Sequence, residues 1–202
     1  MNNPYQNFEQ VDLDKILKEI ISDLKENHDD SQMIIHSNRL PVVKAVGFQM
    51  KQLLNNLIGN ALKYRDPGRT LEIRIVSEKI NAKDLKANVD PSSDYYHKIS
   101  VIDNGIGFDN IYAEKIFELF QRLNDESAFS GTGIGLSICR KIAENHNGLI
   151  MASGRPGEGA TFDIYLPATP DVEHPDVNLQ KPLSELLAPL VPKNYRVLQK
   201  KP

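Results

Sequence analysis

Asn56-Leu57-Ile58-Gly59-Asn60-Ala61-Leu62-Lys63-Tyr64 closes the longest helical pattern in the chain. Over residues 46–64 the apolar side chains Met50, Leu53, Leu54, Leu57 and Ala61 recur at helical spacing, so one stripe faces a core. At about 100° per residue, Asn56, Asn60 and Lys63 fall within about 60° of one another on a different surface. A carboxamide oxygen is a neutral, hard ligand suited to Mg2+ that bridges to phosphates, and a lysine one turn away neutralises phosphate as a point charge. Taken alone, the helix reads more simply as one with a solvated polar face.

Working outward, Leu71-Glu72-Ile73-Arg74-Ile75 alternates with period two, and Lys98 to Ile102 gives another strand. That strand runs into Asp103-Asn104-Gly105-Ile106-Gly107-Phe108. Asp-Asn-Gly after a strand is an ordinary turn signal. Its functional reading puts a carboxylate at a strand end, where it accepts a hydrogen bond from an adenine amino group while Gly105 and Gly107 let backbone approach the base. Residues 78–97 are polar, with Pro91-Ser92-Ser93-Asp94, and read as a long hairpin excursion.

Toward the N-terminus, Phe8 to Val11 reads as a short strand. Asp12 is placed to cap a helix whose Leu13, Ile16, Leu17, Ile20, Ile21 and Leu24 share one face. Met33 to His36 is a second short strand, ending before Leu40-Pro41. Toward the C-terminus, Ile111 to Phe120 reads as a short helix and 121–134 as a flexible segment. Gly135 to His146 is a helix with Leu136, Ile138, Cys139 and Ile142 as its buried stripe. Leu149 to Ser153 then pairs with Ala160 to Leu166 across a glycine-rich turn. The pattern predicts an α/β (α+β) two-layer sandwich, a mixed sheet covered on one face by helices. No internal repeat is visible.

Gly131-Thr132-Gly133-Ile134-Gly135-Leu136-Ser137 is a glycine-hinged turn feeding a helix, a general anion site built from backbone N–H groups and a helix N-terminus. It does not complete a dinucleotide fingerprint, because Leu136 stands at the sixth position. Gly154 to Gly159 has the glycine spacing of a Walker loop, but Ala160 stands where lysine is required.

The 202 residues are enough for one ordinary domain, and 40% hydrophobic with 25% charged content is that of a soluble globular protein. A net charge of −3 gives no electrostatic footprint for nucleic acid. No apolar run reaches bilayer length and no signal peptide is expected, so no membrane contact is expected of this chain. The single Cys139 excludes a disulfide framework and suits a reducing cytoplasm. Beyond Pro167 the texture changes: Pro170, Pro175, Pro182, Pro189 and Pro192 punctuate the chain, and only Leu183 to Leu190 has amphipathic character. We therefore expect a domain over 1–167 and a tail over 168–202 that is partly ordered at best, or that docks on the domain or a partner.

In fixed order, these blocks resemble the ATP-binding catalytic domain of two-component sensor histidine kinases, within the GHKL ATPase superfamily and its Bergerat fold. Asn56 to Tyr64 resembles the N box, Asp103 to Phe108 the G1 box and Gly131 to Ser137 the G2 box. Phe117-Glu118-Leu119-Phe120 resembles the F box and Gly159-Ala160-Thr161-Phe162 the final strand motif. The resemblance covers roughly residues 8–167. It implies ATP and Mg2+ as cofactors and a flexible ATP lid. Asn60 is then expected to ligate Mg2+, with Asn56 and Lys63 on phosphate or the metal's waters and Tyr64 packed near ribose or phosphates. Asp103 is expected to read the adenine amino group, Gly105 and Gly107 to line the base, and Thr161 to support Asp103 through water. Gly131, Gly133 and Gly135 are expected to hinge the lid, with Thr132 and Leu136 beside the nucleotide and Arg122 reaching the terminal phosphate. Phe117 and Phe120 are expected to anchor the lid, and Cys139 to be a buried small residue.

The superfamily's hydrolases carry glutamate at the first N-box position to activate water. Here that position is Asn56, and a carboxamide is not a general base. Transfer to a neutral imidazole needs no such base, because the nucleophile already has its lone pair. The resemblance therefore implies a histidine acceptor on a dimerising two-helix hairpin, in cis in a larger parent or in trans, with a response regulator as an indirect partner. None of His28, His36, His97, His146 and His174 reads as that acceptor, so the chain is expected to be a catalytic fragment or stand-alone domain, monomeric and cytoplasmic, whose parent is free to be membrane-anchored. Two other readings remain open: an anti-sigma-type serine kinase, and a nucleotide-gated binding module without transfer.

Overall fold

Asp12 starts the first helix. Its Oδ1 accepts from the backbone N–H groups of Asp14 at 3.0 Å and Lys15 at 3.3 Å, satisfying donors that no helical carbonyl reaches. In this computed structural model, which describes residues 7–27, 33–85, 93–121 and 132–168, strand β1 (Glu9–Asp12) leads into helix α1 (Leu13–Asn27). Arg122, Gly131, His28, His174, residues 122–131 and all but the first residue of the tail expected over 168–202 lie outside the described residues. There follow β2 (Met33–Ser37), β3 (Val42–Ala45), α2 (Gly47–Lys63), β4 (Leu71–Asn81), β5 (Tyr95–Asp103), α3 (Gly135–Asn145), β6 (Leu149–Arg155) and β7 (Gly159–Pro167).

Five strands form one mixed sheet in the order β2-β4-β5-β7-β6, with β2 parallel to β4 and the other pairs antiparallel. β1 and β3 form a separate antiparallel ribbon, Asp12 opposite Val42. α2 packs on β4 and β5, α3 on β6 and β7, and α2 lies between α1 and α3. This is the two-layer architecture that the sequence predicts. Among the described residues no helix is long and apolar enough to cross a membrane.

The core is organised in rows across the sheet. Ile75, Val101, Phe162 and Ala152 are successive cross-strand partners, as are Ile99, Ile164 and Ile150, and residues two apart along a strand share a face. Against these rows α2 buries Met50, Leu53, Leu54, Leu57, Ile58 and Ala61, the stripe predicted by its periodicity together with Ile58. Burying a side chain of this size stabilises the fold by about 1.5–3 kcal/mol.

Three expectations need correction. Val42–Ala45 is a strand that the sequence reading did not identify; Val43 and Ala45 are buried there against helix α1 and its neighbours. The polar excursion is shorter than expected, because Glu78–Asn81 and Tyr95–Lys98 continue the ladder between β4 and β5. Apart from Tyr96, which is fully buried, their side chains are partly or fully exposed, so polarity there marks a strand margin and not a loop. Ile111–Phe120 is not a helix but two 3-10 turns, Asn110–Tyr112 and Lys115–Phe117. Only Ile116 and Phe117 are buried in this segment, while Ile111, Leu119 and Phe120 face solvent, so no helical stripe exists to hold a longer element.

His146, just past α3, joins the two ends of the helical layer. The N–H of Val46, the residue before α2, donates to His146 Nε2 at 3.0 Å, and Ile142 O lies 2.7 Å from Nδ1. A carbonyl accepts only, so the proton sits on Nδ1 and the ring is neutral. Burial pushes its pKa below the usual histidine value. The unfolded state therefore binds a proton that the folded state refuses. Stability is full above about pH 6.5 and falls as pH drops below that value toward the lowered folded pKa. Urea unfolding across pH 7.5 to 5 is expected to show this loss, and His146→Gln is expected to flatten it. An equal slope in both proteins would exclude His146 as its source.

Candidate functional site

The apolar rows end on a carboxylate. Ile73, Asp103, Ala160 and Gly154 form the next cross-strand row, so Asp103 points to the helix-covered face. It is 9% exposed. Burial pushes its pKa up, while the N–H groups of Gly105 and Ala160 and the charge of Arg69 act the other way. The Gly105 N–H donates to its Oδ1 at 2.8 Å.

A partly open cleft lies over this carboxylate. Asn60 and Tyr64 line it from the end of α2, Gly107 and Phe108 from the turn after β5, and Ala160 and Phe162 from β7. Ile116, Gln121 and Leu136 close the remaining side. The combination is an apolar slot with a buried carboxylate at its floor and a carboxamide toward one end.

Backbone packing shapes the floor. Gly107 has φ +64°, and a Cβ there would lie 2.0 Å from the Arg155 carbonyl oxygen. A Cβ on Gly105 would lie 2.4 Å from the Tyr64 carbonyl oxygen. Any side chain at either position would force the turn off the sheet.

The sequence-predicted residues separate into two groups. Asn60, Tyr64, Asp103, Gly107 and Leu136 line the cavity. Gly105 supports it from behind through Asp103. Asn56 Nδ2 donates to Gly135 O at 3.2 Å, tying the N-box helix to the start of α3, and Lys63 Nζ stands 4.6 Å from the Tyr64 ring centroid. Gly133, with φ +70°, turns the chain into α3 against the backbone of Phe120. Thr132 is exposed and does not line the cavity. Phe117 is buried edge-on against Phe162 and under the Arg140 guanidinium, which also bonds Glu114 at 2.7 Å. Phe120 does not share that anchoring: its ring is exposed, and only its backbone meets Gly133.

Thr161 also departs from expectation. It pairs with Ile102, one residue out of phase with Asp103 and Ala160, so its side chain belongs to the opposite face of the sheet. Ala160 occupies the cavity position beside Asp103. The apolar alternation Phe162, Ile164, Leu166 carried this parity in the sequence. The reading also missed Ile116 and Gln121, which sit outside recognisable motifs and reach the cavity only through the two 3-10 turns. Among the described residues no three acidic, histidine or cysteine side chains group to hold a metal ion. Asn60 offers one neutral oxygen, which fits a magnesium ion only if its charge is matched by a ligand's phosphates.

Residues 46–170, more than half of the chain, match the family of histidine kinase-, DNA gyrase B- and HSP90-like ATPases. The chain belongs to that family, and within it to the histidine kinase branch by its relatives. It is 36% identical over 160 residues to cyanobacterial phytochrome A of Nostoc sp., covering 79% of this chain and 19% of that protein. It is 32% identical over 167 residues to the sensor-like histidine kinase SenX3 of Mycolicibacterium smegmatis, covering 81% of this chain and 40% of that protein. The chain thus spans well under half the length of these relatives. The solved catalytic domain of histidine kinase ThkA, in a nucleotide-free form, superposes with a TM-score of 0.61 at 29% identity, covering 81% of this chain and 99% of that one.

The buried carboxylate has a cost that a purely structural residue would not carry. With its folded pKa above 3.8, ionised Asp103 lowers stability once pH rises through that folded value. Asp103→Asn keeps an oxygen for the Gly105 N–H and removes the charge. Calorimetry at pH 7 is expected to give a melting temperature equal to or above wild type. A fall of several degrees would instead make Asp103 a structural residue.

Proposed function

We propose that the cavity binds ATP and that the chain transfers its γ-phosphoryl group to a histidine on a dimerising two-helix hairpin, as the catalytic part of a two-component sensor kinase. The observation that carries this reading is the buried Asp103 carboxylate, which lines an apolar slot together with Asn60, Tyr64, Gly107 and Phe162. In that slot the adenine amino group donates to Asp103, the base lies along Gly107 and Phe162, and Tyr64 flanks the ribose or phosphates. The triphosphate runs toward Asn60, Lys63 and the N-terminus of α3, where Gly133 and Gly135 offer backbone N–H groups. Arg122, Gly131 and Thr132 belong to the lid in this reading, with Arg122 on the terminal phosphate. Magnesium, carried in with the nucleotide and held by Asn60, would neutralise charge on the phosphate oxygens.

The chain's own residues position and neutralise; they supply no base. Asn56 cannot take a proton from water, which disfavours hydrolysis. A neutral imidazole forms the N–P bond with its own lone pair as the bond to the bridging oxygen breaks and ADP leaves. Among the described residues His36 lies on β2, His97 on β5 and His146 is buried between α2 and α3, so none stands on a two-helix hairpin. In this reading the acceptor stands on a hairpin elsewhere in a larger protein or on a separate chain, with a response regulator downstream of it. The solved complex of ThkA with the response regulator protein TrrA, 27% identical to this chain with a TM-score of 0.60, supports that order of partners. In this reading residues 1–167 are the catalytic domain, 168–202 a tail, and the isolated chain is monomeric and cytoplasmic.

Incubating the chain with γ-labelled ATP, Mg2+ and a separate histidine hairpin is expected to place acid-labile phosphate on the hairpin. Acid-stable phosphate on a protein partner would favour a serine kinase, and ATP binding without transfer a nucleotide-gated module. Asp103→Asn is expected to weaken ATP at least about tenfold, the scale of one charge-assisted hydrogen bond. Unchanged affinity by titration calorimetry would sink the site.

A further inference from the structure

Arg69 lies outside every motif of the site, in the connection between α2 and β4. Its Nη2 donates to the Gly105 carbonyl at 2.8 Å and to the Gly157 carbonyl at 2.7 Å. Its Nε stands 3.6 Å from Asp66 Oδ2, which holds the guanidinium from its other side. A guanidinium nitrogen carries two N–H groups, so one Nη2 serves both carbonyls without sharing a proton. The arginine thereby joins the turn after β5 to the turn between β6 and β7.

The residue gripped in this way is the one that orients Asp103. The Gly105 N–H donates to Asp103 Oδ1 while the Gly105 C=O accepts from Arg69. The next residue repeats the pattern, since the Ile106 N–H donates to the Tyr64 carbonyl at 2.9 Å and the Ile106 C=O accepts from the Gly157 N–H at 2.7 Å. Gly157 thus spends both backbone groups on this junction. The Asn104 side chain closes it on the sheet side, with Oδ1 accepting from the Glu72 N–H at 2.8 Å and Nδ2 donating to the Thr70 carbonyl. The Arg69 side chain reaches both turns. Its side chain is 36% exposed, so it contributes little to the core. Its charge also favours the ionised form of Asp103 against burial.

We infer that Arg69 is a positioning residue that sets base specificity. By fixing the Gly105 peptide it holds the Asp103 carboxylate in the direction that rewards a base with an exocyclic amino group. The inference rests on the ATP reading of the cavity. A lysine retains charge but not the planar fork with two directed N–H groups, so it restores the function only in part.

The test compares wild type, Arg69→Ala and Arg69→Lys for binding of ATP and of inosine triphosphate, whose base carries an oxo group where adenine carries its amino group. Wild type is expected to prefer ATP. Arg69→Ala is expected to lose about tenfold in ATP affinity, as for a charge-assisted hydrogen bond, with inosine triphosphate changing less than about twofold. Arg69→Lys is expected to fall between. In the ligand-free protein, the Gly105 and Gly157 amides are expected to exchange hydrogen faster in Arg69→Ala. A brace with no part in specificity would weaken both nucleotides alike, and an unchanged ATP-to-inosine-triphosphate ratio overturns the proposal. Wild type that binds neither nucleotide overturns the cavity reading and this inference with it. That failure is distinct from an intact wild-type preference that Arg69→Ala leaves unaltered.

Discussion

Three backbone segments meet at the end of β5 with no room for a side chain between them. The Gly105 Cα faces the Tyr64 carbonyl and the Gly107 Cα faces the Arg155 carbonyl, at separations that a Cβ would reduce to 2.4 and 2.0 Å. Hydrogen bonds from Ile106 to Tyr64 and from Gly157 to Ile106 hold the segments together. These bonds are backbone to backbone, so strand ends and turns set the close approach, and the Arg69 and Asn104 side chains brace it. Everything else in the site hangs from it. The cavity floor, the direction of Asp103 and the seating of the helix that ends at Tyr64 are all fixed by the same close approach.

A buried carboxylate at such a junction opposes folding, and the layout of the sheet shows why it is tolerated. Asp103 occupies the last position of its strand face, one row beyond Val101 and Phe162. The rows inboard of it are closed by α2 and α3, while the helical layer opens above it. The charge therefore keeps backbone donors on one side and the cavity on the other. Helix α2 divides its labour in the same way. One face buries six core side chains, and the turn that reaches the cavity presents Asn60 and Tyr64.

Much of this was legible because it is local. The α2 stripe, the Asp12 cap, the carboxylate at a strand end and the glycine-hinged start of α3 each follow from spacing within a dozen residues. What was missed depends on partners distant in the chain. Val42–Ala45 is four residues long and becomes a strand only beside β1. The margins of β4 and β5 look like loop because their side chains are polar, yet their backbones pair. Thr161 was assigned to the site on its motif, although strand parity puts Ala160 there and sends Thr161 to the other face. Arg69 carries no pattern at all: its two carbonyl partners lie 36 and 88 residues away.

Asn56 links the structure to its chemistry by a single requirement. Its Nδ2 donates to the Gly135 carbonyl, and so couples α2 to the start of α3. Its side chain also meets the buried Cys139 thiol, whose pKa burial pushes up to about 12, leaving that sulfur a protonated neighbour. A glutamate in this position would bring an acceptor to a site where a donor is needed and would set a charge against the Gly135 carbonyl. The helix contact calls for an amide because an amide donates hydrogen bonds, and the same group does not accept protons. Coupling of the two helices follows from this amide, and in the proposed phosphotransfer the same group leaves water without a base.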